Sequence, residues 1–296
     1  MRTFFLMALL CLISMNQIFA QSFKQARGGA IDVAISPVDG SVFVVGATSR
    51  KVFKYQVRTN DFKQYLGNIE ANRIAVRKDG KVWLTKTGGG TIVYQNANQW
   101  KSLPVLNAAR DLVGGSDGQV WSCFFINGKV ISHSNEEFNH DPLHSAKSKR
   151  IAVSNRNDFW VIRDDNTLHR FFKGKWSKMP GKATDIAMDI ATRKIYVVGM
   201  SKRIFIWNDS AKNWDVLPET RSDVVNVAVH NGQVWCTTTD NKIFYNQYSA
   251  STLISSGFGF NKRKSKVVIL VHGITGNKHT DPSKKDGVDT PCYPKF

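Results

Sequence analysis

Two stretches of this 296-residue chain carry residue types that can do acyl-transfer chemistry. Residues 114–118 fit the pattern Gly-x-Ser-x-Gly, in which a serine on a sharp strand-to-helix turn attacks a carbonyl carbon. Residues 266–273 form an apolar run that ends in His272 and Gly273. Such a strand can precede a loop whose backbone N–H groups stabilise a developing oxyanion.

Neither stretch has the partners that the chemistry needs. Asp117 and Gly118 align with Asp79 and Gly80 of a neighbouring repeat, so Ser116 is expected in a hairpin turn with no helix behind it. Only 23 residues follow Gly273, too few for a serine elbow, an acid and a histidine. The sequence therefore predicts no catalytic residue and no enzyme activity.

Histidines often bind metal ions, but the sequence around these histidines does not favour a metal site. His133, His140 and His144 lie in a polar connection without other obvious ligands, so we expect them to be solvated loop residues. Neither a metal nor a cofactor is predicted. The sequon at Asn208 is either a glycosylation site or simply a turn.

Polar residues at the turns of several repeats are the candidates for ligand binding. Charged and amide side chains on one rim can hydrogen-bond sugar hydroxyls or phosphates, and repetition gives several weak sites that act together. The alternative is that they are ordinary solvated turn residues. The candidates are Arg50, Lys86, Lys202, Arg203, Asp240 and Asn241.

These turns belong to a repeat of about 40 residues. An apolar–aromatic pair marks each copy, and the aromatic positions are separated by 40, 38, 39, 36 and 39 residues. An apolar alternation precedes each pair by about nine residues, and Asp-Gly or Asn-Gly turns join the two in four copies. The aromatic residues are Phe43, Trp83, Trp121, Trp160, Tyr196 and Trp235. Their placement in strands predicts that the tryptophans are core residues between sheets rather than platforms on which sugars stack.

The repeat predicts an all-β, six-bladed β-propeller of four-stranded antiparallel blades. A third strand follows each marker, and a fourth, often beginning with Trp, follows in most copies; Phe138 marks a weaker version. The sixth copy lacks its fourth strand, whereas residues 23–28 form one without a preceding three. We expect this N-terminal strand to complete the last blade and close the ring.

The pattern Trp-x-x-Leu/Met-Pro-Gly, then Asp-Ile-Ala, then an Asp-Gly turn and Val-Trp, resembles the tectonin repeat. The resemblance to tectonin-type propeller lectins, such as fish egg lectins and tachylectin, covers about residues 23–247. It implies binding of glycans or lipopolysaccharide in innate defence. The run at 266–273 resembles the start of an α/β-hydrolase, lipase-like domain. One alternative to a lectin is therefore the targeting module of a lectin–hydrolase fusion whose catalytic domain is truncated. A protein-interaction scaffold is another.

The ends of the chain suggest export. Residues 1–20 read as a signal peptide, and residues 251–296 form a basic tail after the propeller at 21–250. Without Arg2 the chain has 40 basic and 23 acidic residues, a balance of +17. A secreted protein of this charge is expected to favour glycans or anionic glycolipids; the alternative is a charge that only keeps the protein soluble. No nucleic-acid partner and no transmembrane segment is predicted. Its three remaining cysteines are too few for a disulfide framework, which leaves one bridge or free thiols as the alternatives.

Overall fold

The computed structural model describes residues 22–103, 108–124, 128–134, 137–138, 144–145 and 147–247. Within these ranges every regular element is a β-strand, and no helix is long and apolar enough to cross a membrane. The expected signal peptide and the basic tail, including 266–273, lie outside the described residues.

The strands are short apart from two. The first twelve are β1 (Lys24–Ile35), β2 (Val42–Gly46), β3 (Val52–Gln56), β4 (Asp61–Gln64), β5 (Ala71–Val76), β6 (Val82–Lys86), β7 (Ile92–Asn96), β8 (Gln99–Ser102), β9 (Ala109–Gly114), β10 (Val120–Phe124), β11 (Lys129–Ser134) and β12 (Glu137–Phe138). The rest are β13 (His144–Ser145), β14 (Ser148–Asn155), β15 (Asp158–Arg163), β16 (Thr167–Phe172), β17 (Lys175–Met188), β18 (Ile195–Gly199), β19 (Ile204–Asn208), β20 (Asn213–Val216), β21 (Val224–His230), β22 (Gln233–Thr238) and β23 (Lys242–Gln247).

Antiparallel pairing joins these strands into four sheets, built from the expected four-stranded units. One sheet has the order β5-β6-β7-β8, and another is β12-β11-β10-β9 with β13 beside β11. The two seven-stranded sheets each join two units through one long strand, β1 or β17. The prediction of an all-β, propeller-like fold built from four-stranded antiparallel units is therefore confirmed.

The hairpin between the first two strands of a repeat follows from its turn residues. In the β1–β2 turn, Gly40 has a φ of 69°, a backbone region that favours glycine. Asp39 closes the turn by accepting a hydrogen bond from the backbone N–H of Ser41 at 3.1 Å. The same Asp-Gly chemistry recurs before β6 and β10, where Gly80 and Gly118 have φ values of 84° and 83°.

The marker aromatics form the core between repeats. Trp83, Trp121, Trp160 and Trp235 are at most 1 % exposed, which confirms that they are core residues. Trp83 packs with Leu112 and Val120 of the following repeat. Large aromatic side chains buried in this way fill the space between sheets that stack face to face. Trp235 of the last repeat clusters in the same way with Val33 and other residues of the first.

The N-terminal strand pairs as the sequence predicts. Lys24 of β1 lies opposite Tyr245 of β23, and Ala26 lies opposite Ile243. The carboxyl half of β1 then pairs with β2, beginning at Ala30 opposite Gly46. One strand thus connects the last repeat to the first.

The histidine prediction is wrong for His133, whose side chain is fully buried in β11. Its Nε2 lies 2.7 Å from the hydroxyl of Ser122 on β10, and its ring stacks on Trp83 at 6.3 Å. A polar partner inside the sheet makes this burial possible. His140 and the side chain of His144 lie outside the described residues.

Two of the four cysteines are described, and both are free thiols. Cys123 on β10 and Cys236 on β22 are buried within their sheets. Burial raises the pKa of the Cys236 thiol to about 12, so it is protonated at neutral pH and unreactive. Cys292 lies outside the described residues.

Candidate functional site

The first strand of every repeat contains a β-bulge at the same place. In β1, Ala30 pairs with Gly46 and Asp32 pairs with Val45, which leaves Ile31 as an extra residue. A bulge locally bends a strand and re-aims the side chains beside it. The extra residues of the six first strands are Ile31, Asn72, Arg110, Lys149, Thr184 and Val225.

A backbone hydrogen bond fixes each bulge to the preceding repeat. The N–H of Ala71 donates to the carbonyl of Arg50 at 2.8 Å, and the N–H of Ala30 donates to Asn241 of the last repeat at 2.8 Å. Each acceptor residue has a positive φ, and the donor residues are small or β-branched and buried. The acceptors are Arg50, Gly90, Gly128, Asn166, Lys202 and Asn241.

The residue after each bulge is polar, and its charge alternates around the molecule. Acidic residues occupy this position in the first, third and fifth repeats, and arginine occupies it in the second and fourth. The sixth carries a neutral amide. We call this set the channel ring: Asp32, Arg73, Asp111, Arg150, Asp185 and Asn226.

The carboxylates of the channel ring bind backbone as well as side chains. Asp32 accepts a hydrogen bond from the N–H of Ile74 at 2.8 Å and one from Arg73 Nη1 at 3.1 Å. Asp185 likewise accepts from the N–H of Val227 at 2.8 Å and from Arg150 Nε at 3.1 Å.

Asp111 completes the acidic set. It accepts a hydrogen bond from the N–H of Ile151 at 3.0 Å, and Arg73 Nε lies 3.9 Å from its carboxylate. Each acid therefore ties its own strand to the first strand of the next repeat, and the arginines neutralise part of the buried charge.

Asn226 stands where the alternation would place a third arginine. In the orientation that satisfies its neighbours, its amide nitrogen donates to the carbonyl of Ile31 at 2.9 Å. Its oxygen then accepts from Arg73 Nη1 at 2.7 Å. With three acids and two arginines, the channel ring has one carboxyl group more than its cations can balance.

Burial raises the pKa of all three acids of the channel ring, because a charged carboxylate loses its hydration there. The pKa of Asp111 is raised well above its usual range. For Asp185 burial raises the pKa to about 7, against the opposing effect of Arg73. The channel ring can therefore take up or release a proton near neutral pH.

Two cavities meet at the channel ring. The three acids line an inner cavity of about 90 Å³, together with apolar residues of the first strands such as Val33, Ile74 and Leu112. Arg73 lines this cavity and also a second one of about 400 Å³. We call the second cavity the channel mouth.

The channel mouth is rich in arginine on one side and apolar on another. Its arginines are Arg50, Arg73, Arg110 and Arg150, and Asn72 and Asn226 add amide groups. Ile31 and Val225, bulge residues of the first and last repeats, supply the apolar part. Guanidinium groups bind carboxylates in two parallel hydrogen bonds, so the mouth suits an anionic group.

The predicted rim residues do not converge on one site. Arg50 lines the channel mouth. Lys202 and Asn241 occupy the same positive-φ turn in other repeats, where the backbone carbonyl is the group that binds. Lys86 ends β6, Arg203 precedes β19, and Asp240 pairs with Lys242 at 2.7 Å. Their role in ligand binding stays a prediction.

The other residues singled out from the sequence make hydrogen bonds within the fold. Ser116 lies in the turn between β9 and β10, and its hydroxyl donates to the carbonyl of Ser154 at 2.6 Å. The Asn208 amide oxygen accepts the N–H of Ser210 at 3.0 Å, as in a turn. In the described part of the chain, no three His, Cys, Asp or Glu residues are grouped to hold a metal ion.

Sequence reasoning missed the channel ring. Its members directly precede the apolar triplets that define each first strand, as Asp32 precedes Val33-Ala34-Ile35. Aligning the repeats one residue further upstream would have displayed the alternation of acid and arginine. A buried ionisable residue at the same position in five of the six repeats is unusual enough to indicate a site.

No family model and no curated protein matches the chain. Solved β-propellers do match its fold. A gluconolactonase from Xanthomonas campestris is 12 % identical, with a TM-score of 0.59 over 76 % of this chain and 88 % of its own. A virginiamycin B lyase from Staphylococcus aureus is 11 % identical, with a TM-score of 0.53 over 76 % and 98 %. The WD40 propeller domain of Doa1 is 14 % identical, with a TM-score of 0.52 over 78 % and 96 %.

These comparisons correct the sequence-based function. The identification as a tectonin lectin that binds glycans or lipopolysaccharide is wrong, because the similar folds include gluconolactonases and virginiamycin B lyases. The prediction of no enzyme activity is contradicted by the same neighbours, and nothing supports the hydrolase-like tail. The tectonin motif misled because its Trp and Asp-Gly positions serve blade packing and turns, which propellers of different function share.

Proposed function

We propose that this protein is a six-bladed, closed β-propeller enzyme that hydrolyses a small ester or lactone where the channel mouth meets the inner cavity. Six four-stranded units follow if β1 and β17 each serve two of them. The pairing of β1 with β23 and the contact of β21 with β1 support closure of the ring. A closed ring brings the six channel-ring residues together around one axis.

The observation that carries the proposal is the pairing of Asp185 with Arg150 at the channel ring. Asp185 lines the inner cavity and has a pKa of about 7, while Arg150, 3.1 Å away, lines the mouth. A base whose pKa lies near neutrality, placed beside a fixed positive charge, is what ester hydrolysis by water requires. The gluconolactonase neighbours have the same fold and an activity of this class.

The reaction follows from these positions. Asp185 takes a proton from water as the water oxygen bonds to the acyl carbon, and the carbonyl oxygen becomes an oxyanion facing the arginines. The intermediate then collapses, the carbon–oxygen ester bond breaks, and Asp185 returns its proton to the leaving alkoxide. The products are an alcohol and an acid, joined in one hydroxy acid when the substrate is a lactone.

Hydrolysis of a panel of lactones and simple esters, followed by acid release at pH 7 to 8, tests the proposal. Asp185→Asn should lower kcat/KM at least about 100-fold, since the variant cannot accept the proton. Asp61→Asn on the outer strand β4 is the control and should match the wild type. Turnover of no substrate, or full activity in Asp185→Asn, would overturn the proposal.

A further inference from the structure

We infer that the channel mouth binds an amphipathic acyl group, with its carboxyl end on the arginines and an apolar tail on Ile31 and Val225. This rests on the proposed function, because it defines the substrate class of that same cavity. It predicts a substrate with an alkyl or other apolar substituent, whose acid product is an amphipathic carboxylate, rather than a polyhydroxylated sugar lactone.

The charged side of the mouth is held in place by its own contacts. Arg73 and Arg150 are bound to Asp32 and Asp185 of the channel ring, each at 3.1 Å. Arg110, on the bulge of the third repeat, pairs with Asp164 at 2.6 Å. Guanidinium groups fixed in this way lose little freedom on binding an anion.

The apolar side arises at the same bulge position in the first and last repeats. Where the second and third repeats carry Asn72 and Arg110, these two carry Ile31 and Val225. Val225 is 40 % exposed, so a large apolar side chain faces the cavity and solvent. Asn226 beside it is also the neutral amide of the channel ring, so the apolar side coincides with the one ring position that holds no ionisable group.

The two sides together specify the ligand. An anion alone would be satisfied by the arginines, and a sugar would leave its hydroxyl groups against Ile31 and Val225 without hydrogen-bond partners. A carboxylate with an apolar tail satisfies both sides at once. A cavity of about 400 Å³ is large enough for a small molecule of this kind.

Binding of two six-carbon carboxylates to the full chain, measured by calorimetry at fixed salt, isolates the apolar contribution. Hexanoate and gluconate have the same charge and carbon number, but gluconate has a hydroxyl group on every carbon of its tail. We expect hexanoate to bind at least about tenfold more tightly than gluconate, from the apolar area that it buries. Hexanamide, without the charge, should bind more weakly than hexanoate by a similar factor.

Matched variants assign the two sides. Arg50→Asn and Lys202→Asn remove one charge from the same positive-φ turn, a position where Asn166 and Asn241 occur naturally. Only Arg50 lines the mouth, so Arg50→Asn should weaken both carboxylates about tenfold and Lys202→Asn should weaken neither. Val225→Asn, which copies Asn72 of the second repeat, should weaken hexanoate about fivefold and leave gluconate unchanged.

The outcomes separate this inference from the proposed function. Equal or tighter binding of gluconate or inorganic phosphate overturns the apolar side, even if lactones are hydrolysed. Equal effects of Arg50→Asn and Lys202→Asn, or no binding of any carboxylate, overturn the site. Selective hexanoate binding without turnover of any ester supports the inference and rejects the proposed reaction.

Discussion

The carboxylate of Asp32 accepts a hydrogen bond from the backbone N–H of Ile74, 2.8 Å away on the first strand of the next repeat. Asp111 and Asp185 make the same bond to Ile151 and Val227. A buried acid thus stabilises the contact between repeats, and the same acids line the inner cavity. Structure and proposed chemistry share these side chains, so their variants must be judged on both stability and activity.

Asp185→Asn should gain stability relative to the wild type as the pH rises. The folded-state pKa of Asp185 is raised to about 7 from 3.8, so the folded protein binds this proton more tightly than the unfolded chain does. Wild-type stability is therefore lost between about pH 4 and pH 7, by roughly 4 kcal/mol at most. The asparagine variant does not titrate and should lack this loss.

Urea unfolding of both proteins at pH 5 and pH 8 measures the effect. The unfolding free energy of the variant minus that of the wild type should be larger at pH 8 than at pH 5, whatever its sign at pH 5. A difference that is the same at both pH values would show that Asp185 is ionised throughout.

His133 should make the protein sensitive to acid. Burial lowers the pKa of His133 to about 4 from 6.5, so the unfolded chain binds this proton more readily than the folded protein. Stability should fall as the pH drops below about 6.5, by roughly 3 kcal/mol once the pH is below 4. His133→Gln keeps a partner for Ser122 and removes this contribution.

Chemical denaturation at pH 7, 5 and 4 compares the two proteins. The wild type should lose more stability than His133→Gln across this range. His169→Gln is the comparison: burial and the neighbouring Arg163 also lower the pKa of His169 on β16, but it is only partly buried, so its removal should reduce the acid-dependent loss of stability less than His133→Gln does. Parallel curves for wild type and His133→Gln would contradict the prediction.

Gly90→Ala should destabilise the protein far more than Gly118→Ala. Both glycines have positive φ, 67° and 83°, so both substitutions incur about 1 kcal/mol of backbone strain. A methyl group on Gly90 would also lie 2.7 Å from the carbonyl oxygen of Ala109, which belongs to the next repeat and cannot move independently. The additional cost should be about 1–3 kcal/mol.

Melting temperatures of the two variants provide the measurement. Gly118 has open space around its added methyl group, so it reports the strain alone. Equal shifts in melting temperature would mean that the turn at Gly90 can move away from Ala109 at little cost.

Ala26→Asp should disrupt the pairing of β1 with β23. Ala26 is 1 % exposed and lies opposite Ile243, so a charge there is buried without a partner and should cost at least about 3 kcal/mol. Arg27→Asp introduces the same residue at the next, exposed position and should cost less than about 1 kcal/mol. Similar stability of the two variants, measured by thermal unfolding, would contradict closure by the N-terminal strand.

The strands and the core could be predicted because their signals are local. Three local patterns predicted the four-stranded units and the burial of Trp83 and Trp160. They are the alternation of apolar residues, the Asp-Gly turns and the spacing of the marker aromatics. The pairing of residues 24–26 with β23 followed from a missing strand at one end and a spare strand at the other.

The site could not be predicted in the same way because bulges change the register. One extra residue at Ile31 moves Asp32 off the simple alternation, and no propensity marks a bulge residue as such. His133 was misjudged for a related reason: its partner Ser122 lies on another strand, so its burial depends on pairing rather than on neighbours in sequence.

The alternation of acid and arginine in the channel ring also restricts how such a protein can change length. Deleting the second repeat would bring Asp32 beside Asp111, and in the closed ring that we propose, deleting the sixth would bring Asp185 beside Asp32. Like charges in a buried setting repel strongly. Loss of the second, third, fourth or sixth repeat alone is thus penalised, whereas loss of the first or the fifth, which flank the neutral Asn226, is not. The neutral Asn226 therefore relaxes this restriction for the two repeats beside it.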